Sequence, residues 1–159
     1  MSDSWETFAA ALQDEAAALT RVHEAALKLT KALVGRKASE ITFAERALDG
    51  ARRAFQSASH KRRTMQARGF GKMTLRQVCG YAPRRLAPVL NQRLYELSTL
   101  SIGMKITNNN NKALIVSGLD RLMQVMATFQ KAANGNLKTY KRRGFIPPPT
   151  NSVLVSRSA

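Results

Sequence analysis

Residues 84–134, RRLAPVLNQRLYELSTLSIGMKITNNNNKALIVSGLDRLMQVMATFQKAAN, decide the fold. Leu86, Leu90, Leu94, Leu97, Leu100 and Met104 recur at steps of three and four. Past Asn108 and Asn111 the series resumes with Ile115, Leu119, Leu122, Met126, Phe129 and Ala133. Such spacing lines one face of a helix. Nothing stops it convincingly before Asn134-Gly135, so the stretch reads as a single helix of about 50 residues, roughly 75 Å if unbroken. Pro88 falls in the first turn, where its missing N–H is harmless. Gly103 and Gly118 each lower helical propensity by about 1 kcal/mol relative to Ala and mark places for a bend. A helix this long is not stable alone, because its stability comes mostly from what covers its amphipathic face.

The cover lies upstream. Ala67 to Pro83 reads as a break: Gly69 and Gly71 flank Phe70 in a loop, Thr74 caps a short turn carrying Leu75 and Val78, and Gly80 with Pro83 ends that turn. Before it, Ser39 caps a helix whose positions Ile41, Ala44, Leu48, Ala51, Phe55, Ala58, Arg62 and Met65 form a heptad seam. Arg62 interrupts that seam, so the seam opens to solvent near its end or the arginine snorkels out. The first helix runs from Ser4 to Val34, with Ser4 or Ser2 as cap. Trp5, Phe8, Leu12, Ala16, Leu19, Val22, Ala26, Leu29 and Leu33 lie on one narrow face, and Gly35 followed by Arg36-Lys37 is the stop. Two such helices joined by a short turn bury their stripes in an antiparallel hairpin. The expected fold is all-α: a hairpin plus one long C-terminal helix, an elongated helical bundle or coiled coil. The first half of the long helix folds on the hairpin, and the second half is left for a partner subunit or client. Residues 1–145 form this domain, and 146–159, opening with Ile146-Pro147-Pro148-Pro149, form a flexible tail.

A length of 159 residues sets one domain as the default. The single cysteine, Cys79, excludes an internal disulfide framework and suits a reducing compartment. Met1 to Glu6 carries Asp3 and Glu6 but no Lys or Arg, unlike a secretory leader. No apolar stretch approaches the ~20 residues that cross a bilayer. The expectation is therefore a cytoplasmic protein without stable membrane insertion. Net charge is +16 and unevenly placed: residues 1–49 contain six Lys/Arg against eight Asp/Glu, and residues 50–159 contain twenty against two. The second part calls for an anionic partner.

The Asn108 to Asn111 run puts two amides, 108 and 111, on the seam. There they fix register or oligomeric state, receive a partner's backbone, or belong to an exposed polar segment. Leu114, Ile115, Leu119, Leu122, Met123, Val125, Met126 and Phe129 make a stripe broader than one heptad seam, and its methionines suit an adaptable groove for an amphipathic client as well as an ordinary core. Basic clusters occur at Arg52-Arg53, at Lys61-Arg62-Arg63 with Arg68 and Lys72, at Arg84-Arg85, and at Lys141-Arg142-Arg143. Nucleic acid is their obvious chemical partner, yet zinc-ligand spacing, an aromatic-studded sheet and a helix-turn-helix are all missing. His23 and His60 sit on different helices outside any metal-ligand cluster, Cys79 has no activating partner in sequence, and Gly69-Phe70-Gly71-Lys72 lacks the frame of a phosphate loop. No enzyme, metal or cofactor is expected.

From Trp5 to Gly144 the order of elements resembles the FlgN family of flagellar type III export chaperones. The likeness is sharpest from Thr74: the turn with Leu75 and Val78, the helix opening after Pro83, Asn108 to Asn111 leading into Ala113-Leu114-Ile115, and Thr139-Tyr140 with Gly144. The resemblance implies an ATP-independent chaperone that keeps hook-associated (hook–filament junction) proteins soluble and delivers them to the export gate. It further implies that client C-terminal segments lie along Leu114 to Phe129, with Asn108 and Asn111 at the entrance, and that Tyr140 docks on the cytoplasmic domain of the gate. The large positive charge and the proline tail lie outside the resemblance. Two other classes stay open: a basic helical nucleic-acid-binding protein, and a structural coiled-coil assembly factor that forms a homo-oligomer.

Overall fold

The computed structural model describes residues 2–142, with side chains from 4 to 134. They form four helices: α1 (Ser2–Gly35), α2 (Ala38–Phe70), α3 (Leu75–Gly80) and α4 (Ala87–Arg142). The fold is all-α. The chain divides into two units, Met1–Ile115 and Val116–Ala159. The proline-containing stretch 146–159 lies outside the described residues.

In the first unit α1 and α2 are antiparallel, since the start of α1 meets the end of α2. The Trp5 and Phe70 rings stand 4.5 Å apart, and Glu15 pairs with Arg62. Within this unit α4 runs parallel to α1. Arg85, just before α4, bonds Glu6, Thr107 meets His23, and Asn111 meets Ala26, so the numbers rise together. The core contains the α1 seam foreseen from spacing, with Phe8, Leu12, Ala16, Leu19, Val22, Ala26 and Leu29 buried and Trp5 and Leu33 packed at its edge. A second row, Ala11, Ala18, Ala25 and Ala32, is buried as well. These alanines repeat every seven residues and widen the narrow face into one that packs on both sides, which is what a helix covered by both α2 and α4 requires. Fully burying a side chain such as Phe8 or Leu12 contributes about 1.5–3 kcal/mol.

Several boundaries differ from the sequence reading, each for a local reason. The left-handed residue closing α1 is Arg36 (φ 55°), whose N–H bonds Ala32 O at 3.0 Å, while Gly35 is the last helical residue. The cap position of α2 is Lys37 rather than Ser39. It supplies no side-chain cap and instead pairs with Glu40 at 3.0 Å. The expected break at Ala67 does not occur: α2 continues through Gly69 to Phe70, because Phe70 packs on Trp5 and Phe8. The turn falls at Gly71 (φ 64°), where a glycine adopts the left-handed conformation without strain. Thr74 caps α3 as expected, in a reciprocal box with Gln77. A turn through Pro83–Leu86 precedes α4, so the helix starts at Ala87 rather than Arg84. At its other end Asn134-Gly135 does not stop the helix, which continues to Arg142. One glycine costs only about 1 kcal/mol in a helix interior.

The buried arginine is the largest departure. Arg62 neither opens the seam nor snorkels. It is 9% exposed, and its Nε and Nη2 donate to Glu15 Oε2 and Oε1 at 2.7 and 3.1 Å. Its Nη1 donates to Gln66 Oε1 at 2.7 Å, and Gln66 Nε2 donates to the Met73 carbonyl at 2.6 Å. The partner of Arg62, Glu15, is buried too, at 3% exposed. A bidentate guanidinium–carboxylate pair in which each of the three guanidinium nitrogens is bonded is the form in which burial of two charges is tolerated.

Candidate functional site

The four asparagines illustrate how helical register sorts identical side chains. Asn108, Asn109 and Asn110 are exposed, while Asn111 is 5% exposed. Its Nδ2 donates to Ala26 O at 3.1 Å. The Thr30 hydroxyl lies 2.7 Å from Asn111 Oδ1 and 3.0 Å from Ala26 O, and gives its one proton to either. One turn earlier the buried Thr107 stands 3.4 Å from His23 Nε2, and a Cβ at Gly103 would meet that imidazole at 3.4 Å. This polar ladder fixes how α4 slides against α1. Asn111, expected at the entrance of a client groove, has its amide engaged inside the first unit and acts there as a register residue. Asn108 remains accessible.

Of the apolar stripe, Leu114 is half-buried and Ile115 is 41% exposed at the end of the first unit. In the second unit Leu119, Leu122, Met123, Val125, Met126 and Phe129 are all more than half exposed, with Phe129 at 71%. Val116, which the sequence reading did not single out, is exposed beside them. Leu119, Leu122, Met126 and Phe129 keep the three-four spacing of the seam that Leu90, Leu97 and Met104 use in the first unit. Backbone hydrogen bonds of a helix are satisfied internally, so what this stripe can offer is apolar area at helical spacing, suited to another amphipathic helix.

The basic patch proposed from sequence is divided by the fold. Arg62 does not belong to it, being buried against Glu15. Lys61, Arg63, Arg84 and Arg85 are exposed. Lys61 stands 3.9 Å from Asp14, and Arg85 pairs with Glu6. Lys141 and Arg142 fall within α4, but their side chains, like that of Tyr140, are outside the described set, as is Arg143 altogether. Cys79 is buried beneath α4, its Sγ 4.0 Å from Leu90 O. Burial pushes its thiol above the ordinary value of 9.0, against a smaller opposing effect of the Arg62 charge. That is the reverse of an activated nucleophile.

A cleft of about 480 Å³ in the first unit is lined by Phe55, Ser59, Leu94, Leu97 and Ser98 beside the Glu15–Arg62 pair. Its two buried charges satisfy each other, and the charge left to it is that of Arg63, which also lines the cleft and is exposed. Among the described residues no group of three or more His, Cys, Asp or Glu is placed to hold a metal, and no helix is long and apolar enough to cross a membrane. No family model, curated protein or solved structure matches this chain.

Proposed function

We propose that this chain is an ATP-independent chaperone of the flagellar export type, acting in the cytoplasm on C-terminal segments of hook-associated proteins. The observation that carries the reading is the exposed stripe of the second unit, Leu119, Leu122, Met126 and Phe129, each between 54% and 71% exposed on helical spacing. A monomer rarely leaves such a run uncovered, and an aggregation-prone client segment is what it would cover. The methionines beside it, Met123 and Met126, allow one surface to repack around different clients. The order of motifs from Thr74 to Gly144, given above as a resemblance, supplies the flagellar part of the reading and the assignment of Tyr140 to docking on the export gate.

Magnitudes limit what the stripe achieves alone. Covering four half-exposed side chains is worth roughly 4–6 kcal/mol by area. Micromolar binding needs about 8 kcal/mol net of ordering costs. The client's own apolar face must supply the remainder together with polar or ionic contacts, for which Asn108 and the cations of the chain offer groups.

Calorimetry with peptides of hook-associated C-terminal segments tests the reading. The expected result is micromolar or tighter binding to one segment, lost in a Leu122→Asp/Phe129→Asp variant of unchanged helicity. A defined homo-oligomer that forms without client, disappears in the same variant and binds no segment would replace the chaperone with a coiled-coil assembly factor. Tight and steeply salt-dependent binding to an oligonucleotide, with no peptide binding, would replace it with a nucleic-acid-binding protein.

A further inference from the structure

Residues 61–85 hold eight Lys/Arg and no Asp or Glu. They cover the end of α2, the loop, α3 and the approach to α4, at one end of the first unit. Carboxylates of α1 match three of the eight: Glu15 takes Arg62, Asp14 takes Lys61 and Glu6 takes Arg85. The other five, Arg63, Arg68, Lys72, Arg76 and Arg84, are exposed and make no ion pair among the described residues. In the same stretch Tyr81 is 72% exposed and Met73 is 41% exposed. The stretch with the excess of cations thus also exposes two side chains with apolar surface, and none of these residues belongs to the stripe of the second unit.

The composition discriminates among anionic partners. An anionic bilayer responds to the number of charges, without preference for Arg over Lys. A long polyanion needs a continuous basic track, but the rest of the hairpin, residues 1–60, balances eight Lys/Arg against eight Asp/Glu. Protein–protein interfaces are the surfaces where Arg, Tyr and Met are enriched and Lys is depleted, and here Arg outnumbers Lys four to one among the unmatched cations. The planar guanidinium also binds carboxylates bidentately, as Arg62 already does with Glu15. We propose that this end of the first unit docks a bounded acidic patch on another protein. Arg63, Arg68, Arg76 and Arg84 meet its carboxylates, and Tyr81 enters an apolar recess between them. The docking is independent of the client reading and gives the chain a second protein-binding surface.

The test uses the full chain in a Leu122→Asp/Phe129→Asp background, which removes the apolar stripe as a competing site. Three probes are titrated at low and high salt: a helical peptide with glutamates on one face and leucines on the other, a DNA duplex of matched charge, and phosphatidylserine vesicles. The expected result is that the peptide binds best, that Arg68→Glu/Arg76→Glu/Arg84→Glu weakens it about tenfold or more, and that Tyr81→Ser weakens it about fivefold with the salt dependence unchanged. All four positions are exposed, so helicity and melting midpoint should not move, and both are recorded for every variant. Tighter binding of the duplex or the vesicles through the same arginines would overturn the proposal in favour of nucleic acid or lipid. Peptide binding that is absent, or indifferent to either set of substitutions, would reduce the stretch to a solvated charged face.

Discussion

Two portions of α4 share one pattern and meet opposite fates. In 87–115 the seam residues Leu90, Leu97 and Met104 are at most 8% exposed, and the polar positions Thr107 and Asn111 are buried with them. In 116–134 the same three-four spacing produces Leu119, Leu122, Met126 and Phe129, none of them less than 54% exposed. Periodicity specifies a helix and the face it must cover, but the cover itself is set by which other element is in register. The first portion has α1, held by Asn111 against Ala26 and Thr30. The second carries the chemistry of a seam with nothing described upon it.

Substitution should separate the two portions by stability. The sharpest case lies under the covered one: Arg62→Ala leaves Glu15 buried without its partner, and should cost about 3–5 kcal/mol in urea unfolding. Exchanging both partners for apolar residues of similar size should restore most of that loss. Leu90→Ala should cost about 2–5 kcal/mol, whereas Leu122→Ala should shift stability by no more than about 0.5 kcal/mol. A comparable loss at Leu122 would mean that the second stripe is covered in the isolated protein, and the contrast would collapse. Asn111→Ala, which removes one donor from Ala26 O and leaves Thr30 with Ala26 O as its acceptor, should cost about 1–3 kcal/mol, against a negligible change for Asn108→Ala.

The smallest effect is one of pH. Burial raises the Cys79 thiol, so its neutral form is favoured in the folded chain. The corresponding stability is fully present below the unfolded thiol's value and is lost as pH rises from there toward the folded one. Unfolding midpoints followed through the alkaline range should therefore fall more steeply for the native chain than for Cys79→Ala.

The helices, the hairpin and the α1 seam were legible because large apolar residues keep a strict period there. The Ala11, Ala18, Ala25 and Ala32 row was not, because alanine is equally at home on either face of a helix. Arg62 read as a defect in its seam, since a buried ion pair becomes visible only once its partner, 47 positions away in sequence, is in place. Asn108 and Asn111 both fell on the seam by spacing, and only the contact with α1 distinguished them. The Thr74 cap was legible because its partner, Gln77, is three residues away. The apolar stripe was legible as a pattern, and its exposure had to come from the structure.

The chain of bonds from Glu15 through Arg62 and Gln66 to the Met73 carbonyl has a consequence for the order in which α2 comes apart. Its last turns are fastened both to α1 and to the loop beyond, while its first turn begins at Lys37 without a side-chain cap. Local opening starts where backbone groups are least held. Amides near Ala38 should therefore exchange with solvent well before those between Arg62 and Phe70, so that α2 unravels from its beginning and the end bearing the unmatched arginines keeps its shape longest.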